Sequence, residues 1–126
     1  MRRIETVPRQ RGWRHLIAAT RYSLGGLRII LQESAFRHEV IAWIGILIVF
    51  FAVGAEPVEY LVSALLFLIT IAVEALNTAI EIIVDRSSPE ISDFGKATKD
   101  LGSFAVFCML TANGIFLLYV LGRHLI

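Results

Sequence analysis

Three long apolar stretches separated by short polar segments make up most of this chain after residue 39. The first is the uncharged stretch 40–55, the second is 58–84 and the third is 101–122. The last two would be about 40 Å and 33 Å long as α-helices, enough to cross the hydrocarbon core of a membrane. The segment 54–57, Gly-Ala-Glu-Pro, is typical of a tight turn between two helices. The pattern therefore predicts three transmembrane helices.

The preceding segment, 13–38, has a different periodicity. Arg14, Arg21 and Arg28 recur every seven residues, and a mostly apolar set falls on another arc of the helical wheel: Leu16, Ile17, Thr20, Leu24, Leu27 and Leu31. A helix with one basic and one apolar face lies in the membrane interface. The pair Gly25-Gly26 marks either a break in this helix or a point of close backbone approach. We expect an all-α membrane protein, one domain over 1–126, with an amphipathic interfacial helix before three transmembrane helices.

The composition excludes a soluble domain. Of the 126 residues 56% are hydrophobic and 18% are charged, and the mean hydropathy is +0.70. A soluble domain of this size could not cover so much apolar surface with so few polar groups. The single Cys108 excludes an intrachain disulfide and a cysteine-based metal site. The pattern before residue 40 is not that of a secretory signal peptide.

Charge is distributed unevenly along the chain. Residues 1–39 have eight Arg and three Glu, a net charge of +5, whereas residues 40–126 have a net charge of −4. Cytoplasmic flanks of membrane spans collect Lys and Arg, so the basic N-terminal segment is an orientation signal and not a nucleic-acid site. The charged segment 85–100 is predicted to be a cytoplasmic loop for the same reason. We expect a cytoplasmic N-terminus and a periplasmic or external C-terminus in a bacterial inner membrane.

Polar residues inside the second span are the first candidates for chemistry. Glu74, Asn77 and Glu81 are spaced i, i+3, i+7 and share one helix face, here called the polar stripe. A carboxylate near the membrane centre costs at least about 2.5 kcal/mol, so two carboxylates beside an amide favour a function. The alternative is a hydrogen-bonded seam between helices.

Further charged residues lie at the predicted cytoplasmic boundary. Mg²⁺ takes one or two protein carboxylates together with substrate phosphates, and Glu33 with Glu81 would suffice for it. The alternative for Glu33 and Glu39 is a solvated or arginine-paired carboxylate. Lys99 and Asp100, at the entry of the third helix, could bind a phosphate and a sugar hydroxyl or be no more than a charged flank. P-loop and protein-kinase motifs are absent, so any nucleotide site is of another type.

Together these residues resemble the prokaryotic diacylglycerol kinase family, which are small three-span membrane kinases. The most specific match is 74–86, EALNTAIEIIVDR, close to the family signature E-x-L-N-[ST]-A-[IV]-E-x-x-V-D. Further matches are Tyr22-Ser23, Gly26-Leu27-Arg28, Ala35-Phe36-Arg37 and the segment 99–106. The resemblance covers about residues 13 to 122 and implies ATP- and Mg²⁺-dependent phosphorylation of diacylglycerol to phosphatidic acid by a homotrimer. A bundle of three spans is also too thin to shield the polar stripe by itself.

The resemblance implies roles for individual residues. Glu74 looks like the general base that takes the proton from the lipid hydroxyl, and Glu33 and Glu81 look like the metal-binding acids. The implied ATP-binding residues are Arg14, His15, Tyr22, Ser23, Glu33, Glu81, Glu90, Ile91, Ser92, Lys99 and Asp100. The implied lipid-binding residues are Ala35, Phe36, Arg37, Glu39, Glu74, Asn77 and Ser103. The family usually has an Arg at the position of His15, so either His15 or the adjacent Arg14 serves the nucleotide.

Two other functions fit part of the pattern. An undecaprenol kinase would have the same fold, although Gly102-Ser103 and the Asp85-Arg86 end of the signature favour the diacylglycerol branch. A small proton- or ion-conducting membrane protein would also place Glu74 and Glu81 on one helix face. Such a protein would not need the pair Lys99-Asp100 or a basic amphipathic helix.

Overall fold

The computed structural model describes residues 11–87 and 92–126, which form four helices. They are α1 (Trp13–Ile30), α2 (Ser34–Val53), α3 (Pro57–Ser87) and α4 (Asp93–Leu125). The helices α2, α3 and α4 are each long and apolar enough to cross a membrane. The predicted all-α membrane protein with three candidate spans after an N-terminal helix is confirmed.

The interfacial helix is shorter than predicted, because α1 ends at Ile30 and not at residue 38. The backbone N–H groups of Gln32 and Glu33 bond to carbonyls only three residues back, at 3.1 and 3.0 Å. Glu33 then adopts an extended conformation (φ −77°, ψ 128°) that stops the helix, and α2 begins at Ser34. Residues 34–38 are therefore the polar first turn of α2.

The pair Gly25-Gly26 does not break α1, which is continuous through both residues. Gly26 and Ile29 instead line a small cavity of about 170 Å³ against Ala75 and Ala79 of α3. A Cβ added at Gly25 or Gly26 would meet nothing within 4 Å, so the structure supports neither a helix break nor a close backbone approach at this pair.

Each of the three candidate membrane-spanning helices includes residues beyond the apolar stretch from which it was predicted. α2 ends one residue before Gly54, whose left-handed conformation (φ 76°) ends the helix. The segment 85–100, predicted as a loop, is mostly helical, because α3 continues to Ser87 and α4 begins at Asp93. The side chain of Ser92 caps α4 by accepting the N–H of Gly95 at 3.0 Å. Charged side chains lie on these helix ends outside the apolar part.

Aromatic contacts hold the spans together. The rings of Trp43 and Phe67 stack between α2 and α3 with centroids 4.4 Å apart, and the Trp43 indole N–H donates to Ser63 Oγ at 3.0 Å. Phe50 is fully buried and meets Tyr60 and Phe116 edge to face, at 5.6 and 6.1 Å. Many other large apolar side chains on the three spans stay exposed within one chain. Lipid or partner subunits must cover them.

Ion pairs join the start of α3 to the end of α4. Glu59 is 3% exposed, accepts the backbone N–H of Glu56 at 2.8 Å and meets His124 Nε2 at 2.7 Å. Arg123 pairs with the exposed Glu56 at 2.8 Å. The acidic residue Glu59 inside the second apolar stretch is thus explained by capping of α3 and pairing with α4.

Candidate active site

A cavity of about 540 Å³ lies between the start of α2, the C-terminal half of α3 and the N-terminal half of α4. We call it the acid cavity, because four carboxyl side chains line it: Glu33, Glu39, Glu74 and Glu81. Ala35, Asn77 and Ser103, which are predicted lipid-binding residues, also line it. The structure therefore brings the predicted base Glu74, the predicted metal-binding pair and, counting Glu74, five of the seven predicted lipid-binding residues to one place.

Glu74 is buried in this cavity, with 6% of its surface exposed. Its carboxyl group faces that of Glu39 closely enough to hydrogen-bond when one of them holds a proton. An alcohol that binds in the cavity can approach both carboxyl groups.

Asn77 is confined between two helices. Its amide nitrogen donates to Glu81 Oε1 at 3.4 Å, a long hydrogen bond along α3. Its Oδ1 is directed at Gly102 of α4, where a Cβ atom would lie only 2.1 Å away. This oxygen is buried and has no hydrogen-bond partner among the described residues. Gly102 is therefore required for the orientation that Asn77 adopts beside Glu81.

The predicted nucleotide residues Lys99 and Asp100 do not line the acid cavity. Lys99 Nζ contacts Asp85 of α3 at 2.5 Å, and Asp100 pairs with Lys96 at 2.6 Å. Both ion pairs are substantially exposed, so water screens them and the partners can exchange. Of Lys96, Lys99 and Asp100, Lys99 is the residue that contacts α3, one turn beyond the Glu81 end of the polar stripe.

The remaining predicted nucleotide residues are spread over other elements. Arg14 and Tyr22 line a separate cleft of about 360 Å³ along α1. His15 and Ser23 are exposed on the same helix, and Ser23 Oγ donates to the carbonyl of Ala19 at 2.9 Å. Glu90 and Ile91 lie outside the described residues. One chain thus collects the predicted catalytic residue and the predicted acids Glu33 and Glu81, whereas the other described nucleotide residues lie outside this cavity.

Two predicted lipid-binding residues lie outside the lining of the acid cavity. Phe36 is buried, with 6% of its surface exposed, and Arg37 is exposed. Four residues that the sequence interpretation missed do line it: His38, Val106, Phe107 and Leu110. The last three follow Ser103 at i+3, i+4 and i+7, so helical spacing from Ser103 would have found them. His38 follows Ala35 at i+3, so the same spacing from Ala35 would have found it.

A second groove of about 310 Å³ adjoins the acid cavity. The two share His38, Glu39 and Leu110, and the groove continues past Trp43 and Phe67. Thr70 and Asn113 also line it and are joined by a hydrogen bond of 2.8 Å between α3 and α4. Thr70 precedes Glu74 by four residues, so it extends the polar stripe by one turn.

The donor set for a cation in the acid cavity is small. The described residues include no group of three or more His, Cys, Asp or Glu side chains arranged around a metal site. Glu33 and Glu81 supply two carboxylates to the same cavity. Such a pair fits Mg²⁺, which takes its other ligands from water and phosphate.

The comparisons with known proteins all point to the same family. A family model described as prokaryotic diacylglycerol kinase matches residues 21–121. A diacylglycerol kinase of a Sinorhizobium species is 55% identical over 114 residues, covering 90% of this chain and 83% of the relative. The diacylglycerol kinase of Haemophilus influenzae is 41% identical over 106 residues, which cover 82% of this chain and 89% of the relative. The diacylglycerol kinase of Escherichia coli K12 is 30% identical over 114 residues, which cover 90% of this chain and 93% of the relative.

Proposed function

The chain belongs to the prokaryotic diacylglycerol kinase family, and we propose that this membrane kinase transfers the γ-phosphate of ATP to diacylglycerol, with Mg²⁺, to give phosphatidic acid. The reaction takes place at the cytoplasmic face of a bacterial inner membrane, where the water-soluble nucleotide meets the lipid. The observation that carries this proposal is the buried Glu74 of the family signature, set beside three further carboxyl groups in one cavity.

Glu74 is the general base of the proposed reaction. The lipid presents its free hydroxyl to the Glu39–Glu74 pair, which takes the proton as the oxygen attacks the γ-phosphorus of ATP; the bond from that phosphorus to the bridging oxygen breaks and ADP leaves. Phosphoryl transfer needs little covalent help from the protein beyond in-line positioning and charge neutralisation. Asn77 and Ser103 line the same cavity and orient Glu74 or the lipid head group.

Glu33 and Glu81 hold Mg²⁺ in this proposal. Bound there, Mg²⁺ supplies positive charge that offsets the charge of the transferring phosphoryl group. The two acids line the cavity that contains Glu74, which supports this assignment. Asn77 donates to Glu81 and so holds one of the two carboxylates in place.

The nucleotide is held in this proposal by residues that lie outside the lining of the acid cavity, on α1 and at the start of α4. Lys99 binds phosphate and Asp100 accepts from the sugar hydroxyls. The other proposed contributors are Arg14 or His15, Tyr22, Ser23, Glu90, Ile91 and Ser92. Because Arg14 and Tyr22 line a separate cleft on α1, a homotrimer in which α1 of one subunit faces the acid cavity of its neighbour would complete the site.

The test of the base is Glu74→Gln, assayed for ATP-dependent lipid phosphorylation in mixed micelles. Loss of a general base lowers turnover by roughly a hundredfold or more, while the KM for ATP changes little. The matched control is Glu59→Gln, which removes a buried carboxylate from the other end of the same helix and should keep turnover. Near-full turnover by Glu74→Gln would show that the base lies elsewhere.

The same assay separates the rival functions. Offering diacylglycerol and undecaprenol side by side distinguishes the two kinase branches, and we expect diacylglycerol to be used faster. An ion-conducting protein would consume no ATP with either lipid. Glu81→Gln and Glu33→Gln are expected to raise the Mg²⁺ concentration needed for half-maximal turnover, an effect that Glu74→Gln should lack.

A further inference from the structure

The hydrogen bonds of Asn113 determine which way its amide is oriented. Thr70 Oγ1 donates to the carbonyl of Leu66 at 2.7 Å, so toward Asn113 it acts as an acceptor. The second partner of the amide, the carbonyl of Met109 at 2.7 Å, can only accept. Both partners therefore require a donor, and the Asn113 nitrogen must face them.

This orientation leaves the Asn113 Oδ1 uncommitted in the mostly apolar part of the groove, away from the end that His38 and Glu39 line. Both N–H bonds of Asn113 are used, and no donor to its Oδ1 is recorded within residues 11–87 and 92–126. The neighbouring wall is made by Ile46, Phe67 and Leu110, which cannot donate. Apart from Glu39 at the end shared with the acid cavity, the groove thus offers Asn113 Oδ1 as a hydrogen-bond acceptor to whatever occupies it.

The position of this acceptor relates it to the reacting hydroxyl. Thr70 precedes Glu74 by four residues, a separation of about 6 Å along α3. The groove also begins at Glu39, the partner of Glu74. The groove is continuous with the acid cavity, so a lipid alcohol whose reacting hydroxyl lies at Glu74 extends into the groove. We therefore assign the groove one occupant, the part of the lipid alcohol next to its reacting hydroxyl.

We propose that the Thr70–Asn113 pair sets selectivity among lipid alcohols, favouring those with a second hydrogen-bond donor beside the reacting hydroxyl. A monoacylglycerol has such a donor in its free C2 hydroxyl, whereas a diacylglycerol has an ester there and can offer only acceptors to Asn113 Oδ1. An unmatched polar group in an apolar groove is costly, so the acceptor discriminates against the ester. This inference rests on the proposed kinase function.

The experiment compares kcat/KM for 1-oleoylglycerol and 1,2-dioleoylglycerol in the same detergent micelles. Asn113→Leu removes the acceptor at similar volume, and Thr70→Val removes the hydroxyl that orients it. We expect the ratio of the monoacyl to the diacyl value to fall roughly two- to tenfold in both variants, the effect of one hydrogen bond. The control is Thr111→Val, which removes an exposed hydroxyl from α4 outside the groove and should keep the wild-type ratio.

The two possible failures are distinguishable. A wild-type protein that phosphorylates both lipids, with a ratio unchanged in Asn113→Leu and Thr70→Val, overturns the selectivity role and leaves the kinase function standing. A wild-type protein that phosphorylates neither lipid overturns both. A general packing defect would lower both values together and leave the ratio unchanged, so a ratio that falls is specific to the proposed contact.

Discussion

The side chain of Asn77 shows how one small residue on a neighbouring helix can determine a site. Its Oδ1 occupies the space where a Cβ of residue 102 would be, and its nitrogen reaches Glu81. Any side chain at position 102 must push the amide away, because the two atoms would lie 2.1 Å apart. The glycine is thus needed for space and not for backbone conformation, since Gly102 lies inside α4.

A pair of glycine substitutions on α4 tests this relation. Gly102→Ala should rotate Asn77 off Glu81 and lower turnover roughly fivefold, the effect of one lost hydrogen bond. Gly114→Ala is the matched control, because an added Cβ there meets nothing within 4 Å. It should keep turnover and stabilise the helix by up to about 1 kcal/mol. Turnover in mixed micelles and thermal unfolding of both variants are the measurements, and equal turnover would contradict the steric account.

Helix number and order could be predicted from the sequence, whereas helix ends could not. Apolar length reports which part of a helix lies in the membrane, and charged turns continue the same helix into the interface. This is why residues 34–38 and most of 85–100 are helical although they are too polar to span. Only the extended backbone of Glu33, which the residue pattern does not reveal, separates α1 from α2.

The site was predictable to the extent that it lies on one helix. Periodicity alone puts Glu74, Asn77 and Glu81 on one face, and the structure lines one cavity with all three. Contacts between helices depend on packing, so the Glu39–Glu74 pair and the bond from Asn113 to Thr70 could not be read from spacing.

The ion pairs between the ends of α3 and α4 should contribute unequally to stability. Glu59 is almost fully buried and loses in His124→Ala the one side-chain hydrogen-bond partner that it has among residues 11–87 and 92–126, whereas Glu56 is exposed and can be solvated in Arg123→Ala. The midpoint of thermal unfolding in detergent should therefore fall further in His124→Ala. His124→Gln, which keeps a donor, should recover part of the loss. Equal midpoints for the two alanine variants would show that Glu59 does not depend on His124.

At the scale of the whole molecule, we propose an orientation in the membrane from the basic N-terminal segment, and labelling at exposed positions tests it. On a Cys108→Ser background, Ile126→Cys should react with an impermeant thiol reagent added to intact cells, because the C-terminus is expected outside. Asp93→Cys, at the opposite end of α4, should react only after the cells are opened. Cys108 must be replaced because it is exposed. The reverse labelling pattern would place the acid cavity on the wrong side for cytoplasmic ATP.

We propose assembly of subunits because one chain does not bring the proposed nucleotide residues of α1 to the acid cavity. Glu33 and Glu74 line the same cavity of one chain, whereas Tyr22 lies in a separate cleft on α1. Large apolar side chains such as Phe104 and Phe107 also remain exposed beside that cavity. A neighbouring subunit that supplies its α1 would cover these side chains and bring the nucleotide residues to the acids.

Mixing inactive subunits tests this arrangement. Co-folded Tyr22→Ala and Glu74→Ala chains should recover about a quarter of wild-type activity, because half of the acid cavities are intact and half of their neighbours carry an intact α1. Glu33→Ala mixed with Glu74→Ala should recover none, because both residues belong to the same cavity. Light scattering in mild detergent should give three chains per particle. Recovery only in the second mixture, or a fully active monomer, would show that the site is not shared in this way.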